Sequence, residues 1–575
     1  MKTLRKLKPK ERLFENDFFV FDTETTPFEL NKTCKLIFGV IYGYGYQKVL
    51  YTEQEFIDEF KNPMYLKKKV FAHNAEFDLN VIYGNIYELD KSAIFNGRFI
   101  GATNEVCYFA DSMNIFPTSV KQIGDMIGKP KLELSKEFWN KGDITENDIT
   151  YCIRDCEIIF DALLHMFNKV GNIKITLAGL SLDLFRRQYL GMNIDYNDTL
   201  CNKFFNSYYG GRCEAFYIGD CKATVYDINS MYPYAMFEEK FPNPKYLQSR
   251  KFIRPDIFEN KYLKNYEGVA HVTVNHLPST FGYLPYKFCG KLLFPVGRFT
   301  GWFNFNELRF AIEEQAIKIE IVHEIVYSKP IESPFKNYVT EMYKLRFESQ
   351  LEFDSYLYKI FANSLYGKFA QRILSEQMYI KSMTDQYEEI QQIRLSGKLM
   401  KLTLFNEIRD DCFLEISTGQ QKFLTNTIPL FSSYITSYAR VHLLKKLIQY
   451  KKFYPLYCDT DSIFFAKDPK IPNSKLLGEF KKELKIITHI AGLKNYEYIS
   501  DEIKHTKIKG VPKSATKENE VFTYYNLVKT KESLRRNLDA GTQIKRTKTL
   551  KNTYDKRIVH TDGTTAAIDV TGKSE

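Results

Sequence analysis

Nowhere does this sequence run to the roughly 20 uninterrupted apolar residues that a membrane-spanning helix needs, so no membrane segment is expected. Internal repeats and low-complexity tracts are missing as well, which excludes a solenoid and a disordered scaffold. Of the 10 cysteines, only Cys152 and Cys156 stand one helical turn apart, and no second pair completes a zinc set. They read as reduced thiols. The basic start, Met1-Lys-Thr-Leu-Arg-Lys-Leu-Lys-Pro-Lys10, is followed by no apolar stretch with a small-residue cleavage site. A secretory signal is therefore not expected, and the expected compartment is the cytoplasm.

What is present is length, positive charge and aromatic residues. The 575 residues exceed the roughly 250 to 300 at which a single core stops growing, so several domains are expected. With 44% hydrophobic and 26% charged residues the composition is that of an ordinary globular protein. A net charge of +11 favours a polyanionic partner without specifying one. The 40 Tyr and 46 Phe suit packed cores first and the stacking of bases second.

Carboxylates recur at spacings that carry chemistry. The run Asp17-Phe-Phe-Val-Phe-Asp22 reads as a buried strand, and Asp22-Thr-Glu24 points two carboxylates to one face of it. Alone, such a triplet is more often a solvated strand. Further along come His73-Asn74-Ala-Glu-Phe77-Asp78 and a helix around residues 150–160, on which Tyr151 and Asp155 share a face. Asp22, Glu24, Asp78 and Asp155 together would hold two hard divalent cations, with Tyr151 orienting a water.

A second set follows. Ala223-Thr-Val-Tyr-Asp227 reads as a strand, and Asn-Ser-Met-Tyr232-Pro233 after it as a helix start with proline in the first turn. Lys359, Asn363 and Tyr366, at i, i+4 and i+7, align on one helical face. Tyr457-Cys-Asp459-Thr-Asp461-Ser462 reads as a hairpin with two carboxylates at its tip. Those carboxylates repel each other unless cations hold them, which makes a purely structural role hard to motivate.

In their order these segments resemble the three exonuclease motifs and polymerase motifs A, B and C of the family B DNA polymerases, and the compact length is similar to the protein-primed enzymes of small tailed bacteriophages. The resemblance implies an α/β multidomain chain: a ribonuclease-H-like 3′→5′ exonuclease domain, then a right-hand palm, fingers and thumb with two insertions. It divides the chain into exonuclease (1–175), first palm part (176–239), first insertion (240–335), fingers (336–370), second insertion (371–405), second palm part (406–503) and thumb (504–575).

By the same resemblance Asp227 and Asp461, with the backbone of Ile228, bind two Mg²⁺ ions, and Asp459 stands beside them. Two further divalent ions sit at the exonuclease carboxylates, and Mn²⁺ substitutes for Mg²⁺. Tyr232 closes the space that a ribose 2′-OH needs, and Lys359 meets the triphosphate. Asn363 shares that helix face, and Tyr366 packs at the nascent base pair. Tyr208, Gly210 and Gly211 resemble a Tyr-x-Gly-Gly segment at the template, and Lys494-Asn-Tyr496 resembles a primer-grip motif. Asn74 and Phe77 hold the frayed 3′ end. His73 fits a core histidine as well as a ligand, and Ser112 is suggested by a neighbouring segment of the subgroup. A catalytic lysine ahead of the third exonuclease motif is one of Lys131, Lys136 and Lys141.

The implied partners are primer-template and single-stranded DNA, deoxynucleoside triphosphates and a priming terminal protein that contacts the first insertion. The chain is expected as a monomer or as a heterodimer with that protein, in the cytoplasm of an infected bacterial host. The second insertion is expected to encircle DNA. Three other readings stand beside this one: a related polymerase of a linear plasmid, an RNA-synthesising polymerase, against which Tyr232 argues, and a non-catalytic replication scaffold, against which the intact acidic sets argue.

Overall fold

The computed structural model describes the chain except residues 11, 96–97, 134–143, 405–409, 424–425, 513, 519–520, 537, 550–553 and 573–575. A first sheet gathers seven strands: β1 (Phe18–Thr25), β2 (Leu36–Gly43), β3 (Tyr46–Leu50), β4 (Lys69–Ala72), β5 (Lys91–Phe95), β6 (Arg98–Thr103) and β7 (Tyr108–Asp111). Their order is β3-β2-β1-β4-β7-β6-β5, with β1 parallel to β4 and β4 parallel to β7. The expected strand at Asp17–Asp22 thus runs on to Thr25. Its central place in the sheet buries both faces and carries Glu24 inside. Helix α1 (Ala75–Tyr83) follows β4. Helix α2 (Glu146–Val170) begins at a Thr145/Asp148 capping box and stops at Gly171 in the left-handed region (φ 73°). Its Phe160 and Phe167 pack on Phe18, which lays the helix along β1.

A second seven-stranded sheet is antiparallel. It is built from β8 (Cys213–Ala215), β9 (Gly219–Ile228) and five strands from the last third of the chain. After β9 comes α3 (Met231–Glu238), with Pro233 in its first turn as expected. The first-insertion segment forms a four-stranded sheet, β10 (Gln248–Ile253), β11 (Glu267–His276), β12 (Gly297–Asn304) and β13 (Ile317–Ser328), in the order β10-β13-β11-β12. It closes its own core around Phe258, Val272 and Phe303. The expected fingers are a pair of helices, α4 (Lys336–Glu348) and α5 (Glu352–Lys368).

Two sheets run across the expected divisions. β14 (Arg372–Ile380) and β15 (Leu399–Leu404), within the segment expected as the second insertion, both pair with β16 (Cys412–Phe423), the middle strand of their sheet. In sequence this sheet lies between α5 and α6 (Pro429–Gln449), which meet in space where Ser432 Oγ donates to the Tyr366 carbonyl at 2.6 Å. The second sheet is then completed by β17 (Pro455–Asp459), β18 (Ser462–Phe465), β19 (Phe480–Gly492), β20 (Asn495–Ser500) and β21 (Ile503–Ile508), in the order β8-β17-β18-β9-β19-β20-β21.

Residues 504–575, expected as the thumb, divide between two places. Strands β22 (Thr516–Glu518), β23 (Val521–Leu527) and β24 (Gln543–Thr549) form a small sheet that touches the first domain, where the Asn31 amide donates to the Gln543 carbonyl at 2.8 Å. Residues 554–572 instead turn back to β8 and to the first insertion, whose core takes in Val570. Apolar burial at Val570 outweighs the basic, weakly periodic look of the segment.

Candidate active sites

The first cluster forms where α2 crosses β1. Asp22, Glu24, Tyr151, Asp155 and Lys131 line one cavity of about 240 Å³. Burial raises all the carboxyls of the cluster, and they repel one another. Glu24 is pushed up to about 7, first by burial and then by Asp155, and Asp22 is pushed well above its usual range by burial, Glu24 and Asp78. Asp78 also rises to about 7, mainly through burial. It approaches from α1 and accepts a hydrogen bond from Thr23 Oγ1 at 2.7 Å. Asp78 stands near enough to Asp22 and Glu24 for its charge to help raise both. Asp155 Oδ1 is buried without a hydrogen-bond partner. An orphaned carboxylate oxygen beside Asp22 and Glu24 is the donor set of a hard divalent cation, so the residues fit the expected metal.

Of the three candidate lysines, Lys131 is at the site: its ammonium pairs with Asp155 and lies 4.7 Å from the Tyr151 ring centre. Burial works against its charge, but Asp155 outweighs burial and holds its pKa above the usual lysine range. Lys136 and Lys141 lie outside the described residues. Asn74 caps α1 in the left-handed region (φ 81°) with no side-chain capping bond, and is exposed. Phe77 meets the ring of Phe28 edge to face at 5.9 Å. His73 is held at both nitrogens, by Ser112 Oγ at 2.9 Å and the Thr118 carbonyl at 2.7 Å, and burial lowers its pKa. That is the core reading, with one edge on the cavity. Ser112 is fully buried and anchors His73. The sequence reading missed Cys152, whose thiol, kept protonated by burial, lies 3.7 Å from the Asp22 carbonyl. Its place beside Tyr151 on α2 was the available signal.

The second cluster sits on the other sheet. β9 and β18 are neighbours, with Asp227 opposite Ser462. The hairpin turn between β17 and β18 holds Thr460 in the left-handed region (φ 61°). Two short backbone bonds fix its shape: the Ile228 amide donates to the Asp461 carbonyl and the Asp461 amide to the Asp459 carbonyl, each at 2.6 Å. Burial and then Asp461 raise Asp227 to about 7, and burial and then Asp459 raise Asp461 to about 6. This all-oxygen set, strained by mutual repulsion, also fits hard cations.

Of the expected substrate residues, Tyr232 and Tyr366 lie near enough to feel Asp461, with Tyr208 beside them. The rings of Tyr232 and Tyr366 stack with centres 4.3 Å apart, which joins α3 to α5 above the carboxylates. Tyr208 is close enough to add to the raised pKa of Tyr366, behind the effects of burial and Tyr232. On α5, Lys359 is exposed, and Asn363 donates to the Lys359 carbonyl at 2.8 Å. A Cβ on Gly211 would lie 2.8 Å from Thr460 Oγ1, whereas one on Gly210 would meet nothing within 4 Å. Arg440 of α6 donates to the carbonyls of Tyr209 and Gly210 at 2.8 and 3.0 Å. Lys494 is bound to Asp459 at 2.8 Å. Tyr496 is 5% exposed, packed on Tyr457 and Phe464, and so supports the hairpin from beneath.

Two carboxylate clusters, one on a ribonuclease-H-like sheet and one on an antiparallel palm bearing a helical hairpin, define the fold of a family B DNA polymerase with an exonuclease domain. Phi29 DNA polymerase, in a structure with primer-template DNA and incoming nucleotides, superposes over 93% of this chain and 99% of its own, with a TM-score of 0.69 and 17% identity. The family model of DNA polymerase type B, organellar and viral, matches residues 126–451, and the chain belongs to that family. The DNA-directed DNA polymerase of Enterobacteria phage PRD1 is 26% identical over 482 residues, covering 79% of this chain and 77% of the relative. Probable DNA polymerases of Podospora anserina and Neurospora intermedia are each 25% identical, over 70% and 75% of this chain. The matches cover 34% and 52% of those two relatives, so the chain spans about a third and about half of their lengths.

Proposed function

We propose that this chain is a DNA-directed DNA polymerase that extends a DNA 3′ end with deoxynucleoside triphosphates and corrects it with a 3′→5′ exonuclease. The observation that carries the reading is the pair Asp227, on β9, and Asp461, in the turn that leads into the neighbouring strand β18, both with raised carboxyls and both near the Tyr232–Tyr366 stack. Mg²⁺, or Mn²⁺ in its place, would supply at each site the Lewis acidity that activates a hydroxyl or water and offsets charge on phosphate oxygens. Asp227, Asp461 and the Ile228 backbone would hold it at the polymerase site, and Asp22, Glu24, Asp78 and Asp155 at the exonuclease site.

The remaining residues bind and orient. Tyr232 fills the space beside the sugar and rejects a 2′-OH by clash. Lys359 sets a positive charge where pyrophosphate leaves, and Asn363 lies beside it on α5. Tyr208, Gly210 and Gly211 face the template. In the first domain Asn74 and Phe77 take the frayed end, and Lys131 and Tyr151 flank the water that attacks it.

The wider reading is a phage-type, protein-primed replicase working in the cytoplasm of an infected bacterium, with a terminal protein on the first insertion and DNA encircled by the second. A second reading of the same chemistry is a linear-plasmid polymerase. Extension of a primed single-stranded circle with Mg²⁺ and dNTPs, without clamp or helicase, tests the proposal. Products longer than the circle, absent with Asp461→Ala, support it. No extension by the wild type would leave the scaffold reading.

A further inference from the structure

The edge of the palm sheet is closed by the far end of the chain. β8 is the outermost strand, and residues 554–566 cover its open side. The Ala215 amide donates to the Tyr554 hydroxyl at 2.9 Å, the Thr565 hydroxyl donates to the Ala215 carbonyl at 2.9 Å, and the Thr565 amide donates to the Phe216 carbonyl at 3.1 Å. Beneath these bonds Arg212, Glu214 and Arg557 are buried together, at 1%, 1% and 3% exposure.

Glu214 is gripped from two sides. Its Oε2 accepts from Arg212 Nε at 2.6 Å and its Oε1 from Arg557 Nη1 at 3.0 Å. Arg557 is itself fixed by Thr565 Oγ1 and the Thr280 carbonyl, each at 2.8 Å, and Arg212 by the Gly282 carbonyl at 2.8 Å. Burying three charges costs desolvation that their attraction scarcely repays, so stability alone is a weak account of the triad. Its position is informative. Cys213 and Glu214 pair with Asp459 and Cys458, and the Arg212 carbonyl accepts the Thr460 amide at 2.7 Å, at the turn between the two hairpin carboxylates.

We propose that Arg557, acting through Glu214 and Arg212, is a positioning residue for the turn that carries Asp459 and Asp461, so that the C-terminal strap is part of the support of the polymerase site. The inference rests on the polymerase reading above. Arg557→Met leaves the Arg212–Glu214 pair balanced and removes one side of the grip, whereas Glu214→Gln leaves two guanidinium groups facing each other and is the harsher change.

Arg557→Met and Arg557→Lys are to be compared with the wild type in four measurements: extension at saturating primer-template and dNTP, DNA affinity, degradation of single strands, and backbone amide exchange over 456–465. The expected result is a kcat for extension lower by roughly 10- to 100-fold in Arg557→Met. DNA affinity and strand degradation stay unchanged, exchange in 456–465 quickens, and Arg557→Lys partly recovers. Wild-type kcat, a loss confined to DNA affinity, or unchanged exchange over 456–465 overturns the proposal. The exchange reading does not depend on synthesis, so a wild-type chain that extends nothing sinks the polymerase reading and still leaves the strap decided by exchange. Should Arg557→Met also lose strand degradation, Thr565→Val, which removes the hydroxyl between Arg557 and Ala215 and keeps every charge, carries the same comparison.

Discussion

Lys494 Nζ donates to Asp459 Oδ2 at 2.8 Å, so one of the two hairpin carboxylates is paired with a cation inside the protein while Asp461 is left for the opposite strand. The pair divides the labour of a symmetrical-looking motif. Asp461 and Asp227 hold the raised carboxyls, and Asp459 is the anchored one.

Removing the anchor should therefore slow synthesis without ending it. A charge-assisted hydrogen bond is worth about 1.5 to 3 kcal/mol, and with Lys494 45% exposed the lower end applies. Lys494→Met is expected to reduce single-nucleotide extension about tenfold. Extension at saturating substrate is the check.

The two clusters should separate by mutation. Asp461→Ala is expected to cut extension on the order of 10³-fold or more while sparing degradation of single strands. Asp22→Ala with Asp78→Ala should do the reverse. Both activities are to be assayed on the same preparations, and joint loss in a folded protein would refute the division into two sites.

Tyr232 stacks on Tyr366, and the proposed function has it fill the space that a 2′-OH needs. Tyr232→Val is expected to raise ribonucleotide insertion relative to deoxyribonucleotide insertion by on the order of 10²-fold. Paired single-turnover insertions with rNTP and dNTP would show it.

Gly211 and Gly210 should respond differently to alanine. At Gly211 the new methyl meets Thr460 at 2.8 to 3.2 Å and must push the hairpin, a strain of about 1 to 3 kcal/mol. At Gly210 the space is open. Thermal denaturation and extension rates are expected to fall for Gly211→Ala, and Tm is expected to hold for Gly210→Ala.

The raised carboxyls make metal-free stability depend on pH. Glu24, Asp78 and Asp227 have folded values of about 7 and Asp461 of about 6, above the roughly 4 of the unfolded chain. Their contribution is fully present below pH about 4 and is lost as pH rises through 6 to 7. In EDTA, Asp227→Asn should therefore flatten the fall in Tm between pH 5 and 8. Added Mg²⁺ should raise the wild-type Tm more at pH 8 than at pH 5.

How far the sequence disclosed all this depends on chain distance. Asp22 with Glu24, Tyr151 with Asp155, and Asp459 with Asp461 lie a few residues apart, so strand and helix periods fix their faces. Asp78 was legible as an acid, but its bond to Thr23 depends on where α1 docks against β1. Lys494 stood out in the sequence only as part of a Lys-x-Tyr string, and its grip on Asp459 depends on its φ of 54°, which turns the chain between β19 and β20. The sheet of β14 to β16 was not legible as a unit, because its middle strand, β16, comes last in the chain. The strap was the least visible feature, since Arg557 and Glu214 are brought together across 343 residues and neither has a local pattern.

That distance sets an order of events during synthesis on the ribosome. The first sheet and α2 are complete once residue 170 has emerged, and domains fold as they appear. β8 emerges at residues 213–215, but the partners that cover its edge arrive only with residues 554–566. For most of its translation, then, the nascent chain has a folded first domain and a palm whose outer strand is still bare. A chain halted after β24 is expected to degrade single strands and to add no nucleotide.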